Sequence, residues 1–334
     1  MWGDFDPNNP QKTGKPRYTL DPSVGSYLID EAIASIEREV LPDFGVALDF
    51  TYRRLHSYNW ELQWDGSDKN TIRSQDDYIQ VGTIPANLGT QPAKDAAGKP
   101  YYLRKAGVPN YYYIYVTERP DYYRDYMGIE LRFNKRLSNR WMLNGSFTLQ
   151  NERVHFGDKG YLNPTNIWAL DGKQYAQYMG GASGKVDQYV FSRWLFKLSG
   201  LYQLPWDVNI SFTFNAREGH ILRERVNIID YNAPNPLERS IWVYLTPFGT
   251  HRLPNFWNLN LRLEKVLKLG ETGRIYIMAD LFNVFNNRII NRKYQLDLGN
   301  YYVHSGVFVP DKTAGLINEI LNPRVLRLGV RFEF

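Results

Sequence analysis

Histidine is the side chain of this sequence with the clearest capacity for metal chemistry, because neutral imidazole is a common metal ligand. All five histidines fall in or beside segments of loop composition: His56, His155, His220, His251 and His304. If the loops converged, these imidazoles could hold a metal ion or a metal chelate. The alternative is a set of ordinary surface histidines, and we favour it. We therefore predict no metal site and keep as weak candidates His155, His220, His251 and His304.

Catalytic residue sets are the second class of chemistry, and the sequence offers none. It has no cysteine, so neither a thiolate nucleophile nor a disulfide framework is available. It contains no HExxH zinc motif, no GxSxG nucleophile elbow and no Walker-type phosphate loop. The acid pairs Asp30–Glu31 and Asp76–Asp77 are best explained as solvated charges. We expect no catalytic residues, no cofactor and no enzymatic activity.

Composition excludes further classes of protein. The net charge is +5, from 40 basic and 35 acidic residues mixed along the chain, and no basic block suggests a nucleic-acid partner. No run of about 18 apolar residues is present, so a membrane-spanning helix is not predicted. Aromatic residues make up 15% of the chain, including 25 tyrosines. A barrel strand is only half apolar, so these numbers are compatible with a membrane β-barrel.

Long strands of alternating character are the elements that would position any site. The C-terminal NPRVLRLGVRFEF puts Leu326, Leu328 and Val330 on one face and Arg327 and Arg331 on the other. The same alternation recurs in GVALDFTYRRL, GIELRFN, WMLNGSFTLQ, VNISFTFN and WNLNLRLE. About nine such segments are found, most of about 10 to 14 residues, where an ordinary strand has about five or six. Strands of this length suit a bilayer span.

The connections between these segments alternate strictly between short and long. Tight turns are predicted near Pro42, Ser138, Pro205 and Gly270. Long loops are predicted over residues 56–120, 152–188, 218–254 and 287–321. All short turns then lie at one end of the sheet and all long loops at the other. This is the layout of an outer-membrane barrel, with turns in the periplasm and loops outside.

The cost of placing arginine in hydrocarbon decides which face meets lipid. An arginine at the bilayer midplane costs about 2–4 kcal/mol, so the face that carries Arg327 and Arg331 is predicted to point inward. The same argument gives a set of lumen-facing candidates: Arg53, Glu130, Arg132, Asn260, Arg262, Glu264, Asp280, Arg327 and Arg331. An interior this charged would be wet or filled by a polar plug. The predicted fold is an all-β, antiparallel, up-and-down transmembrane β-barrel, present in part.

Several segments resemble the barrel of TonB-dependent outer-membrane receptors of Gram-negative bacteria. They are residues 119–148, 251–270, the stretch IMADLFNVFNNR at 277–288, and the terminal strand with its final aromatic residue. The nearest subgroup is the large receptors that carry a carboxypeptidase-regulatory-like domain. The resemblance implies transport of a ligand bound by outside loops, with the TonB system as partner. It also implies an assembly signal read by the barrel-assembly machinery: Leu328, Val330, Phe332 and Phe334.

The sequence departs from the family pattern at its N-terminal side. No signal peptide, TonB box or plug is recognisable, and about nine strands is fewer than the 22 of the plugged transporters. We therefore expect residues 1–334 to be a single C-terminal part of a receptor barrel, with Met1 internal or created by truncation. Residues 1–26 would lie in an outside loop. The partners expected are outer-membrane lipid, the missing N-terminal strands and the plug.

A second hypothesis comes from a different class of protein, a soluble all-β carbohydrate-binding module. Its strands would place the apolar faces in a sandwich core, and its aromatic residues would stack on sugars. Dependence on detergent separates the two hypotheses, since a barrel fragment exposes an apolar face and a soluble module does not. The first hypothesis explains strand length and loop asymmetry together, and we favour it.

Overall fold

A computed structural model describes residue 8 and residues 16–89, 91–175, 177–178, 189–270, 273–293 and 297–334. Most of the N-terminal stretch of residues 1–15, and part of the predicted loop 152–188, lie outside the described residues. The strands are β1 (Tyr18–Leu20), β2 (Leu28–Leu41), β3 (Phe44–His56), β4 (Asn59–Trp64), β5 (Tyr78–Thr83), β6 (Pro100–Arg104), β7 (Tyr113–Glu118), β8 (Tyr123–Ser138), β9 (Trp141–His155), β10 (Gln177–Tyr178), β11 (Tyr189–Val190), β12 (Trp194–Leu204), β13 (Val208–Arg217), β14 (Arg225–Ile229), β15 (Ser240–Tyr244), β16 (Phe256–Lys268), β17 (Arg274–Phe282), β18 (Ile290–Lys293), β19 (Asp297–Tyr302), β20 (Val307–Pro310), β21 (Ile317–Ile320) and β22 (Val325–Glu333).

Helices are short and few among the described residues. The α-helices are α1 (Gln91–Ala96) and α2 (Ile167–Leu170), and 3-10 turns cover Lys69–Thr71, Gln75–Asp77 and Pro164–Asn166. No helix in the described part of the chain has the length and apolar character needed to cross a bilayer. The all-β class predicted from the alternating segments is confirmed.

One sheet of nine strands organises the molecule. Its order is β2-β3-β8-β9-β12-β13-β16-β17-β22, which is chain order, and every neighbouring pair is antiparallel. The predicted count of nine long up-and-down strands is therefore confirmed. The sheet is not closed among the described residues, because β2 and β22 stand at opposite ends of the order without pairing to each other.

Tight hairpin turns join the sheet strands at one end, which we call the turn end. They lie where the sequence predicted them, and several of their residues have left-handed backbone: Asp43, Asn139, Arg140, Trp206, Asp207 and Gly270. Two consecutive residues with positive φ give the I′ type of turn, whose twist matches that of the flanking strands. Trp206 lies inside its turn, with φ of 64°.

The other end of the sheet carries the long connections, and we call it the loop end. These connections run over residues 57–122, 156–193, 218–255 and 283–324. Their shorter strands, together with β1 from the N-terminal side of the nine-stranded sheet, form further sheets, β1-β7-β4, β15-β14-β19-β20 and three two-stranded ones. Two of these pairings, β1 with β7 and β14 with β19, are parallel. The predicted loops are thus largely folded, and their described residues form a unit that we call the loop cap.

Candidate functional site

The register of the nine-stranded sheet places all nine lumen-facing candidates on one face, which we call the polar face. Glu130 lies opposite Asp49, Arg262 opposite Asp280, and Asp280 opposite Arg327. Because alternate residues share a face, the same register carries Arg53, Arg132, Asn260, Glu264 and Arg331 onto this side. That this face lines a lumen stays a prediction.

Asp280 is the centre of a three-residue ionic cluster on the polar face. Its carboxylate accepts hydrogen bonds from Arg262 on β16, with Nη2 at 3.1 Å from Oδ2, and from Arg327 on β22, with Nη2 at 2.7 Å. The Asp280 side chain is 9% exposed. Charge-assisted bonds from two guanidinium groups hold three adjacent strands in register.

A second ionic cluster lies on strands β2, β3 and β8. Arg132 donates to both oxygens of Asp49, at 2.6 and 3.1 Å, and Ser35 donates to the same carboxylate at 2.7 Å. Glu31 accepts from Arg53 on the neighbouring strand. The remaining candidates have weaker partners: Asn209 donates to Glu264 at 3.0 Å.

A groove of about 730 Å³ runs along the polar face between these clusters. Acidic, basic and amide side chains line it, among them Glu37, Glu130, Arg132, Asn144 and Lys197. Such a surface binds water or a polar partner and disfavours an apolar core, because each buried charge would need its own counter-charge.

The opposite face of the sheet, which we call the apolar face, is apolar and uncovered. In the terminal strand, Leu328 is 73% exposed and Val330 and Phe332 are 58% exposed. On five of the other strands, every second residue faces this side, and none of these residues is charged in the middle of the strand. The ranges, counted from their first residue, are Ala32–Ile36 on β2, Phe44–Tyr52 on β3, Met127–Phe133 on β8, Trp141–Leu149 on β9 and Trp257–Leu263 on β16. Nine residues of strand at about 3.3 Å each, tilted by about 40°, span roughly 23 Å, close to the apolar band of an outer-membrane barrel.

Charged side chains return to the apolar face at its loop end. Arg54 donates to Asp125 at 2.8 Å, and its guanidinium lies 4.7 Å from the ring centre of Tyr123. His155 stacks on the same tyrosine, with ring centres 4.6 Å apart. At the turn end, Lys135 lies 5.0 Å from the ring centre of Trp141. Amphipathic rings beside charges at both ends of an uncharged band mark the two edges of an apolar layer.

The loop cap has a hydrophobic core that all four long connections share. Fully buried members come from the first connection and the third: Ile84, Leu88, Ala93, Ala96, Tyr101, Val226, Ile228, Val243 and Leu245. Trp168 from the second connection packs against them, as do Leu298, Tyr301 and Phe308 from the fourth. Burial in this core raises the pKa of Tyr101 to about 12. The sequence analysis missed this core because each contributing run is short, although the alternation of RVNII and SIWVY was its visible signal.

Polar contacts between the connections reinforce the cap. Arg104 donates to Glu238 at 2.9 Å, and Asn235 donates to the backbone carbonyl of Lys105 at 3.0 Å. Asn166 binds the strand β15 twice, donating to the carbonyl of Trp242 and accepting from the amide of Tyr244, each at 2.9 Å. The connections therefore form one folded layer.

The histidines do not form a metal centre in the described residues, since no group of three or more His, Cys, Asp or Glu side chains is placed to hold an ion. His56 contacts Asp30 at 3.1 Å, and His155 lies 3.7 Å from Asp125. His251 contacts Glu224, whereas His304 lies beside the rings of Tyr231 and Tyr302. The convergence of loop histidines that a metal site would need is thus not seen among the described residues.

His220 departs from the expected surface position. It is 8% exposed, and burial together with Arg217 and Arg252 lowers its pKa to about 4. Burial also lowers the pKa of Arg252, to about 10. Arg252 makes hydrogen bonds to the carbonyls of Phe191 and Gly219 at 2.8 and 3.0 Å, so this cluster ties the ends of β12 and β13 to the cap.

The DLFNVFN stretch has a structural role that the sequence did not reveal. Asn283 is 3% exposed and has a φ of 49°. Its side chain donates to the carbonyl of Asn322 at 2.8 Å and to that of Asn287 at 3.0 Å, and its backbone amide donates to Asn260. Asn283 therefore fixes the end of β17 next to the start of β22 and to β16. Asparagine fits because it tolerates the left-handed region and offers both donor and acceptor.

Comparison with known proteins gives matches among solved structures alone. No family profile matches the sequence, and no curated protein matches it. The ferripyoverdine receptor of the outer membrane of Pseudomonas aeruginosa is 12% identical, with a TM-score of 0.45, over 91% of this chain and 27% of that one. The outer membrane transporter YddB from Escherichia coli is 12% identical with a TM-score of 0.45, over 95% of this chain and 34% of that one. BauA, the ferric preacinetobactin receptor from Acinetobacter baumannii, is 12% identical with a TM-score of 0.44, over 92% of this chain and 29% of that one. The chain thus spans about a third or less of the length of these structures.

Proposed function

We propose that this chain is the C-terminal part of the β-barrel of a TonB-dependent outer-membrane receptor, which takes up a ligand bound by the loop cap. One observation carries the proposal. Nine long antiparallel strands in chain order present an uncharged apolar face on one side and a charged face on the other. Such a sheet needs lipid on one side and a polar filling on the other.

The energetic argument concerns the uncovered side chains. Leu326, Leu328, Val330 and Phe332 are each more than half exposed, and similar residues continue across the sheet. Soluble monomers rarely expose apolar patches of more than a few hundred Å², because such patches associate. In the bilayer the same residues are in their preferred medium. The charged face, placed there instead, would cost about 2–4 kcal/mol for each arginine near the midplane.

A soluble carbohydrate-binding module is the competing function, and the packing of the sheet disfavours it. A β-sandwich buries the apolar face of one sheet against that of another. In the described part of the chain, the cap sheets extend the loop end and the apolar face carries no second layer. The competing function would require such a layer to come from outside the described residues.

The free edges of the nine-stranded sheet and its polar face indicate which further segments the chain needs as partners. Strands β2 and β22 each have a free edge in the described sheet, and unpaired backbone groups in hydrocarbon cost several kcal/mol each. We propose that further barrel strands close these edges and that a polar plug fills the groove beside Arg132. The barrel-assembly machinery and the TonB system are the further partners proposed, and the bacterial outer membrane is the proposed location.

Cysteine labelling in intact cells tests the proposal, since the natural chain has no cysteine. Two single-cysteine variants are made, Asp158→Cys at the loop end and Lys268→Cys at the turn end. Both positions are exposed. We expect an impermeant thiol reagent to label position 158 and not position 268, with both labelled after the outer membrane is opened. Labelling of both positions without opening, or purification of the protein without detergent, would contradict the proposal.

A further inference from the structure

The apolar face of the nine-stranded sheet carries a row of cations at its turn end. They are Arg38 on β2, Lys135 on β8 and Lys265 on β16. Each lies opposite one of the first three residues of a strand that leaves a hairpin turn, where the cross-strand partner is apolar. Among the strand residues that the structure describes, no aspartate or glutamate shares this end of the face. Three positive charges therefore stand at one edge of the apolar band.

The loop end of the same face is balanced in charge. Its described strand residues include two arginines, Arg54 and Arg153, and two carboxylates, Asp30 and Asp125. Arg54 donates to Asp125 at 2.8 Å, and Asp125 is also the register partner of Arg153. The two edges of the apolar band therefore differ in charge, and the excess of cations lies at the turn end.

None of the three turn-end cations has a carboxylate partner among the described residues. Arg38 is exposed and makes no hydrogen bond or ion pair with any of them. Lys265 donates to the backbone carbonyl of Trp206. Lys135 is 5% exposed and donates to the carbonyl of Arg136 at 2.9 Å. These acceptors are neutral, so the field of three positive charges acts on whatever covers this edge of the face.

The described residues of the adjoining turns do not supply the missing negative charge. Asp207 pairs with Lys268 at 3.1 Å. Asp43 lines the groove on the polar face together with Arg136, so it is balanced on the other side of the sheet. Arg140, in the turn after β8, adds a further exposed cation. The excess of positive charge at the turn end thus remains when the turns are included.

A phospholipid headgroup has the chemistry that fits this edge. Long basic side chains at the end of an apolar band extend their charged heads into the headgroup layer. A guanidinium matches phosphate with two parallel hydrogen bonds, and Arg38 has no described acceptor that competes for its donors. A zwitterionic headgroup carries its own cation beside the phosphate, whereas the phosphate of phosphatidylglycerol has none. The excess positive charge therefore favours the anionic lipid.

We propose that the turn end of the apolar face binds anionic phospholipid headgroups. Arg38 and Lys265 contact the lipid phosphates, and the buried Lys135 adds its charge without contact. This inference rests on the proposed function, because it needs a bilayer against the apolar face, and it goes further by naming the class of lipid at one edge.

The test measures which lipid touches the reconstituted protein. Two sets of vesicles contain equal parts of phosphatidylglycerol and phosphatidylcholine, and bromine is attached to the acyl chains of one lipid in each set. Bromine quenches the fluorescence of nearby tryptophan, of which the chain has nine. We expect brominated phosphatidylglycerol to quench more strongly, with a relative affinity of about fivefold, since one basic residue near the headgroups favours anionic lipid by roughly that factor.

Paired variants assign the preference to the named cations. The double variant Arg38→Gln and Lys265→Gln should reduce the preference to less than about twofold. The double variant Arg38→Lys and Lys265→Arg keeps both charges and should keep most of the preference. Lys268→Gln is the matched control, because it removes a cation at the turn end that lies on the polar face and pairs with Asp207. Its preference should equal that of the natural protein.

The outcomes separate this inference from the proposed function. Inserted protein that is quenched equally by the two brominated lipids would overturn the inference and leave the barrel proposal standing. An unchanged preference in the double glutamine variant, or an equal loss in Lys268→Gln, would overturn the assignment to the apolar face. Failure of the natural protein to insert into any of the vesicles would contradict the barrel proposal and, with it, this inference.

Discussion

Asp280 on β17 and Arg327 on β22 face each other as register partners, and the arginine donates to the carboxylate at 2.7 Å. Arg262 contacts the same carboxylate from β16. The last three strands of the nine-stranded sheet, β16, β17 and β22, are thus joined on the polar face by one carboxylate between two guanidinium groups. Hydrogen bonds to charged groups contribute about 1.5–3 kcal/mol.

Asp280→Asn should therefore destabilise the folded protein by about 1–3 kcal/mol, because two guanidinium groups lose their shared counter-charge. Glu264→Gln is the matched control on the neighbouring strand, since glutamine can still accept the hydrogen bond from Asn209. Urea-induced unfolding in lipid vesicles measures both. Equal stabilities for the two variants would show that the cluster does not hold the strands.

The lipid-facing assignment is tested at two adjacent positions on β13. Phe212 belongs to the apolar face opposite Leu261, whereas Thr213 points to the polar face opposite Asn260. Phe212→Arg should cost about 2–4 kcal/mol and reduce insertion, and Thr213→Arg should have little effect. The yield of folded protein in vesicles is the measurement. A larger loss of folded protein for Thr213→Arg than for Phe212→Arg would mean that the polar face, and not the apolar face, meets lipid.

The shared core of the loop cap predicts that one substitution loosens several connections together. Leu245 is 1% exposed, and truncating a buried leucine costs about 2–5 kcal/mol. Leu245→Ala should increase proteolysis in the first and third connections, which meet in the core. Leu237→Ala removes a side chain that is 58% exposed and serves as the control. Cleavage confined to the third connection would mean that the connections fold separately.

His220 makes the cap sensitive to acid. The folded-state pKa of about 4 lies below the ordinary histidine value of 6.5, so below pH 6.5 the unfolded state takes up more protons than the folded one. Stability is unaffected above that range and falls as pH drops from 6.5 towards 4, by about 3 kcal/mol at most. His220→Gln should flatten this part of the profile. Amide exchange in the cap at several pH values measures it, and an unaltered slope in the variant would exclude His220 as the cause.

The terminal aromatic residue is predicted to act in assembly. Phe334 is 97% exposed, and its ring stacks on Phe332 with centres 6.5 Å apart at the turn end. Phe334→Ser should lower the amount of heat-modifiable barrel in outer membranes while leaving uptake per assembled molecule unchanged. Thr313→Ser in the last long connection is a mild control. Normal assembly with lost uptake would contradict the proposed assembly signal.

The sequence by itself determined the main sheet. Alternation over about nine long segments, less regular in three of them, specifies strands with two unlike faces, and turn residues at Pro42, Ser138, Pro205 and Gly270 specify hairpins. Both signals are local, because side-chain period and turn propensity depend on neighbouring residues alone. Because the antiparallel register is unbroken from strand to strand, residues as distant in the chain as Arg53 and Arg331 lie on the same face of the sheet.

Tertiary structure decided what the long connections do. The core around Val243 and Leu245, the buried state of His220 and the bonds of Asn283 each join segments far apart in the chain. Short apolar runs in these connections have the same composition whether they are exposed or buried, so periodicity cannot assign them. Their burial depends on which other runs they meet, and only the folded chain brings those runs together.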